Sequence, residues 1–165
     1  MYEKDAPELF YSFADARREV CFHRYDMPTP WMNYLSNGTF TAMISHAGGG
    51  VAFYKSPQIF RINHYRFFHL PADRSGFYTY IRDGGSVWCP TSQPVAVKPD
   101  SWSSCHGMGY TRFRAEKDGL GVTATYLVGE RENALIWNLK FVSDRDRKIE
   151  LYPFVELGMM EFMRE

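Results

Sequence analysis

The feature that most constrains this chain is a period-two alternation of apolar and polar residues. It recurs from segment to segment, while no stretch keeps a 3.6-residue apolar stripe over three turns. A strand sends successive side chains to opposite faces, so alternation of this kind marks half-buried β-structure. The expected fold class is all-β. In Thr39 to His46, Phe40, Ala42 and Ile44 share one face and Thr41, Met43 and Ser45 the other, with the turn pair Asn37-Gly38 just before. Val51 to Tyr54 continues the pattern until Ser56-Pro57 breaks it, since proline cannot donate to a ladder. Phe60 to Phe68 reads as a long strand, and Phe77 to Arg82 as a shorter one closed by Asp83-Gly84-Gly85. Pro90 to Asp100, with three prolines, reads as a surface connection.

The carboxyl third is the clearest part. Tyr110 to Glu116, Gly121 to Val128, Ala134 to Val142 and Lys148 to Leu157 are separated by short polar turns and predict an antiparallel meander. Leu135, Trp137, Leu139 and Phe141 fall on one face, enough apolar surface to require a second layer, so a two-layer antiparallel β-sandwich is expected. A helix fits only near the ends of the chain, for instance over Pro7 to Arg18. Apolar residues crowd Phe154 to Met163 without a polar cap, from which we expect a fold that continues past Glu165 and an exposed edge prone to association.

At 165 residues one domain is the default, so domain boundaries of 1–165 are expected. Lys plus Arg and Asp plus Glu both number 19, leaving no basic excess for nucleic acid. No apolar run reaches membrane-spanning length, and charges within Met1 to Phe10 leave no secretion-type apolar core, so a cytoplasmic location is expected. Cys21, Cys89 and Cys105 are odd in number and far apart, which suggests reduced thiols rather than a disulfide framework.

No catalytic constellation stands out. His64 and His69 are five apart and lack converging ligands for zinc, so no metal is expected. There is no Gly-x-Ser-x-Gly elbow, and Cys105 and His106 are strand neighbours that point apart. Gly48-Gly49-Gly50 lacks the Gly-Lys-Ser/Thr ending and following helix of a phosphate cradle, and reads as a turn or bulge needing positive φ. The aromatic share of 17% is the more suggestive feature, because flat apolar rings beside oriented polar groups are what a sugar pocket uses. Trp31, Asn33 and Tyr34 follow Pro28-Thr29-Pro30, and Arg66 and Arg74 sit beside aromatics where a guanidinium reaches sugar hydroxyls. Core packing uses the same aromatic residues, and a surface ion pair the same arginines.

Several motifs run in the order of a known family. Arg18-Glu19-Val20, Pro28-Thr29-Pro30-Trp31-Met32-Asn33-Tyr34-Leu35 and Ser45-His46-Ala47-Gly48-Gly49-Gly50 come first, then Arg61-Ile62-Asn63-His64-Tyr65-Arg66 and Pro71-Ala72-Asp73-Arg74-Ser75-Gly76. Gln93-Pro94-Val95, His106-Gly107-Met108-Gly109-Tyr110-Thr111 and Pro153-Phe154-Val155-Glu156 complete the set. Together they resemble the opening of the cellobiose and chitobiose phosphorylases of glycoside hydrolase family 94, formerly classed with glycosyltransferases. The resemblance implies an incomplete, galactose mutarotase-like supersandwich. It also implies a parent reaction in which inorganic phosphate, a co-substrate rather than a cofactor, converts a β-linked disaccharide to a sugar 1-phosphate and a free sugar.

In that family the general acid and the phosphate site lie in a carboxyl-terminal helical barrel, so no residue here is named catalytic. The sandwich packs on the barrel, helps form a homodimer and borders the acceptor side of the sugar site. Trp31, Asn33, Tyr34, Arg66, Arg74, His106 and Tyr110 are the candidates for carbohydrate or acceptor-rim contacts. Two positions depart from the family: Ser92 where tryptophan often precedes Gln-Pro-Val, and Cys105 where a basic residue often precedes His-Gly. Two rivals stay open at this level, a free-standing carbohydrate-binding module, which would bind sugar alone, and a structural subunit that pairs with a separately encoded barrel.

Overall fold

In the computed structural model the described residues are 10–27, 29–58, 60–64 and 75–158. Strand, not helix, dominates them, and the single helical element is a 3-10 turn, Asp15–Arg17. Six strands form one antiparallel sheet: β1 (Tyr11–Ala14), β2 (Glu19–Phe22), β8 (Ser101–His106), β9 (Thr111–Lys117), β10 (Leu120–Val128) and β11 (Leu135–Ser143), in that spatial order. The facing layer consists of two three-stranded ladders. One joins β3 (Met32–Ser36), β4 (Phe40–Ser45) and β5 (Gly50–Tyr54); the other orders β12 (Ile149–Val155), β6 (Phe77–Asp83) and β7 (Ser86–Trp88).

The alternation in β4 works as its sequence predicts, with Phe40, Ala42 and Ile44 buried. They pack with Leu35, Ala52 and Phe77 of their own layer against Phe113, Ala124 and Tyr126 of the six-stranded sheet. A second cluster sets Ile81 and Trp88 against Ala115, Leu120 and Val122. Burial of such apolar faces is the main force holding a sandwich together. The hairpin turn before β4 is fixed by Asn37, whose Oδ1 accepts the amides of Thr39 (3.0 Å) and Phe40 (2.8 Å). The Asn37 Nδ2 crosses to the carbonyls of Gly129 (2.9 Å) and Glu132 (3.0 Å), which clips one layer to the other.

The triple glycine is the joint between the two ladders of the second layer. Gly48 and Gly50 have φ of +90° and +152°, and a Cβ on Gly50 would stand 1.9 Å from the Met43 carbonyl oxygen. Gly76 comes equally close from the other ladder: its Cβ would lie 2.3 Å from the Gly48 oxygen and 2.5 Å from the Gly49 Cα. The amide of Gly50 bonds to Ser75 O (2.9 Å) and that of Phe77 to Gly48 O (3.0 Å).

Four expectations need correction. The segment Pro7 to Arg18 is no α-helix where it is described: Tyr11–Ala14 is a strand that pairs with β2, and only the short 3-10 turn Asp15–Arg17 is helical. Phe60 to Phe68 is no continuous strand over its described part, which makes isolated bridges at Arg61 and Asn63. There the Asn63 side chain replaces a ladder, accepting the Ala52 amide (2.8 Å) and donating to Gly50 O (2.8 Å); residues 65–74 lie outside the described residues. The meander ends at β11, because β12 crosses to pair with β6. Arg147 anchors that crossover by donating to Asp83 (2.6 Å) and Asp144 (2.8 Å) and to Asp118 O (2.9 Å). Finally, Cys21 and Cys105 form a disulfide, since the β2–β8 ladder places them directly opposite each other across 84 residues of sequence. Cys89 is the free thiol, buried, and burial pushes it up to about 12.

Among the described residues one flank of the sandwich is left open. On β12 the residues Ile149 and Val155 reach the core, so Leu151, two positions from Ile149, shares their face, yet it is 40% exposed. Across from it, Leu135, Trp137, Leu139 and Phe141 of β11 are only half-buried. The outward Tyr152 and Phe154 are also exposed, as expected for this edge; Met159 to Met163 lie outside the described residues.

Gly76→Ala tests the glycine joint. Its added methyl meets backbone, so it should cost about 2 kcal/mol or more, whereas Gly84→Ala, at φ +58° with open space around it, should cost only ~1 kcal/mol of backbone strain. Urea denaturation of both variants gives the comparison, and equal losses would contradict the joint.

Candidate functional site: an aromatic cleft beside Trp31

The six-stranded sheet carries its inner face outward at the β1–β2 end. In register, Tyr11 faces Phe22, Phe13 faces Val20, and Val20 faces His106, so these side chains share one side of the sheet. Ser104, opposite Phe22, is paired in turn with the core residue Phe113, which identifies that side as the inner one. Here it lines a cleft of about 410 Å³. Trp31, Met32 and Asn33 close it from the β3 side, and Gly107 and Met108 from the turn after β8.

The floor is a cluster of rings. Trp31 lies 5.6 Å from both Tyr11 and Phe22, and Phe22 lies 5.1 Å from His106 and 5.5 Å from His46. Phe22 is buried, while Trp31 is 43% and Phe13 67% exposed. Flat apolar surface is therefore available on a rigid base, the arrangement that stacks on a sugar ring.

Trp31 is held by two imidazoles. Its amide donates to His46 Nδ1 (3.2 Å), and His46 Nε2 bonds to Tyr25 O (3.2 Å). Its carbonyl accepts the His46 amide (2.9 Å) and His106 Nε2 (3.0 Å), while the Thr111 hydroxyl bonds to His106 Nδ1 (3.2 Å). The two bonds of His46 need a neutral ring, one nitrogen accepting and the other donating, while at His106 the Thr111 hydroxyl suits either protonation state. Burial lowers both: His46 falls below its usual range, and His106 to about 4 although the bond to Trp31 O opposes the shift.

The other candidate residues are distributed around this cleft rather than gathered in it. Asn33 lines it, but its Nδ2 is committed to Gly107 O (3.0 Å), Tyr110 O (3.0 Å) and Thr111 Oγ1 (3.1 Å), fixing the β8–β9 turn. Tyr110 donates to Glu19, a buried carboxylate that also takes Arg17 (2.8 Å) and Arg112. Burial raises the Glu19 carboxyl, and the Tyr110 hydroxyl and the two guanidiniums outweigh it, leaving it below the usual range. Tyr34 is 64% exposed and does not line the cleft. Arg66 and Arg74 lie outside the described residues. Tyr11, Phe13, Phe22, Met108 and Arg18 are cleft residues that sequence reasoning did not single out, because they converge only through the β1–β2–β8 pairing.

Arg18 is the cleft's one charged residue among the described residues. It caps the 3-10 turn in the left-handed region, φ 53° and ψ 48°, which costs a non-glycine residue ~1 kcal/mol. A metal has no good seat: among the described residues Glu19, Cys21 and Cys105 bring ligand atoms within 4.8 Å of one another. However, the two sulfurs are bonded to each other and the carboxylate is already met by two arginines.

No helix among the described residues is long and apolar enough to cross a membrane. A family model described as the glycosyl hydrolase 94 supersandwich domain matches residues 18–164. N,N'-diacetylchitobiose phosphorylases of Vibrio furnissii and Vibrio proteolyticus are each 37% identical over 152 residues, 88% of this chain and 19% of theirs. A solabiose phosphorylase of Paenibacillus borealis is 30% identical over 160 residues, 94% of this chain and 21% of its own length. The chain thus spans about a fifth of the length of these curated relatives.

The imidazole clamp sets a pH dependence. His46 and His106 are held below 6.5 when folded, so the unfolded chain binds more protons in that range. Their contribution is complete above 6.5 and is lost as pH falls toward about 4, to the extent of a few kcal/mol. Denaturation midpoints between pH 7 and 5 should fall accordingly, and His106→Gln should flatten the slope; a flat wild-type profile would contradict neutral rings at both positions.

Proposed function

The chain belongs to the glycosyl hydrolase 94 supersandwich family, and from that premise we propose that it is the non-catalytic, sugar-contacting β-sandwich of a glycoside phosphorylase. The parent reaction is the conversion of a β-linked disaccharide plus phosphate to a sugar 1-phosphate and a free sugar. That chemistry needs an acid at the glycosidic oxygen and a phosphate at the anomeric carbon. The described cleft supplies neither: among the described residues no carboxylate lines it, and His106 has both ring nitrogens engaged. What it supplies is a stacking platform, and the exposed Trp31 ring fixed at both backbone ends is the observation that carries the proposal.

The domain works with a helical catalytic barrel, and the open β11–β12 flank supports a need for further protein there. Apolar inner-face residues left half-covered, such as Trp137 and Leu151, are stabilised when another element covers them. We extend the proposal to a homodimer and to a cytoplasmic location, where inorganic phosphate is at hand as co-substrate. All three walls of the cleft come from this chain, so sugar contact should not depend on the barrel, whereas catalysis should.

Calorimetric titration with cellobiose, laminaribiose and chitobiose tests this. At least one should bind with a Kd on the order of 1 mM, Trp31→Ala should weaken it roughly tenfold or more, and no sugar 1-phosphate should form. Absence of binding by all three, or phosphorolysis by the chain alone, would overturn it.

A further inference from the structure

Arg18 stands in the cleft at a conformational cost that the fold does not require. Its backbone sits in the left-handed region at the end of the 3-10 turn, where glycine is the unstrained choice. The turn uses only its amide, which donates to Asp15 O (3.0 Å), a bond that any residue except proline makes. Among the described residues its guanidinium has no hydrogen-bond or ion-pair partner, whereas neighbouring Arg17 and Arg112 are both drawn to Glu19. Among the described residues no carboxylate lines the cleft, and Arg18 is the charged residue that does, beside the rings of Tyr11, Phe22 and Trp31.

We propose that the cleft takes a pyranoside bearing an anionic group, a carboxylate or a phosphate, with the sugar face on Trp31 and the anion on Arg18. This rests on the sugar-contact function proposed above and narrows its ligand class. A guanidinium fork meets either anion with two parallel hydrogen bonds. Trp31 alone would accept neutral and anionic sugars alike; Arg18 adds a preference that salt screens.

The test titrates the chain with methyl β-glucoside, methyl β-glucuronide, glucose 1-phosphate and inorganic phosphate, at low and high ionic strength. One of the two anionic sugars should bind roughly tenfold tighter than the neutral glucoside at low salt, and the favoured one identifies the anion. The advantage should vanish at high salt and in two variants. Arg18→Gly relieves the backbone and should melt at the same or a higher temperature; Arg18→Gln keeps the backbone strain and loses only the charge.

If neutral and anionic sugars bind equally, or the preference survives both variants, the inference falls and sugar contact stands. If inorganic phosphate binds as tightly as the anionic sugars, the sugar component of the inference is overturned. If nothing binds, both proposals are overturned.

Discussion

Everything distinctive about this domain follows from incomplete coverage of one apolar sheet face. The six-stranded sheet needs a second layer over its inner side, and that layer is assembled from two short ladders joined where Gly48–Gly50 and Gly76 bring backbone against backbone. The two core clusters lie beneath those ladders. Beyond them the inner face is left to aromatic side chains at the β1–β2 end and to half-buried aliphatic and aromatic ones along β11. Apolar surface left in water is destabilising, so each uncovered end is a place where another molecule gains by binding. The two ends differ in character: one is a rigid cleft with polar clamps and one charge, the other an extended edge of strand backbone and apolar side chains.

The cleft owes its rigidity to side chains whose polar atoms are committed to the surrounding backbone. His46 and His106 work on the main chain of Trp31, and Asn33 works on the turn that carries Gly107 and Met108. Glu19 gathers Arg17, Arg112 and Tyr110 beside the disulfide that ties β2 to β8. Such supporting contacts give a binding surface its precision while leaving its chemistry to a few exposed rings. Asn33, His106 and Tyr110, candidates for sugar contact in sequence, each make supporting contacts of this kind.

The strands with regular alternation were legible. β4, β9, β10 and β11 each combine a clean apolar face with a local turn signal, such as Asn37-Gly38 or Asp118-Gly119, and both ingredients are short-range. β8 was not legible, because Ser101-Trp-Ser-Ser-Cys-His has polar residues in buried positions, Ser104 among them. β3 was hidden by Tyr34 and the preceding Trp31, which suit a ligand loop as well as a strand. The route of β12 depends on Arg147 meeting Asp83, 64 residues away, and the disulfide on a ladder that brings together cysteines 84 apart; no local pattern encodes either. The same holds for the cleft, where Trp31 was visible in sequence and its companions Tyr11, Phe13 and Arg18 were not.

The central claim is that sugar meets this domain at Trp31. The chain has four tryptophans; Trp88 is buried, Trp102 donates its indole N–H to Pro90 O (3.0 Å), and Trp137 packs on the core. Their indole N–H resonances can be followed together while a β-linked disaccharide is added. The account predicts that the Trp31 signal shifts in proportion to occupancy while the other three stay in place; a Trp31 signal that remains fixed while sugar binds elsewhere would contradict it.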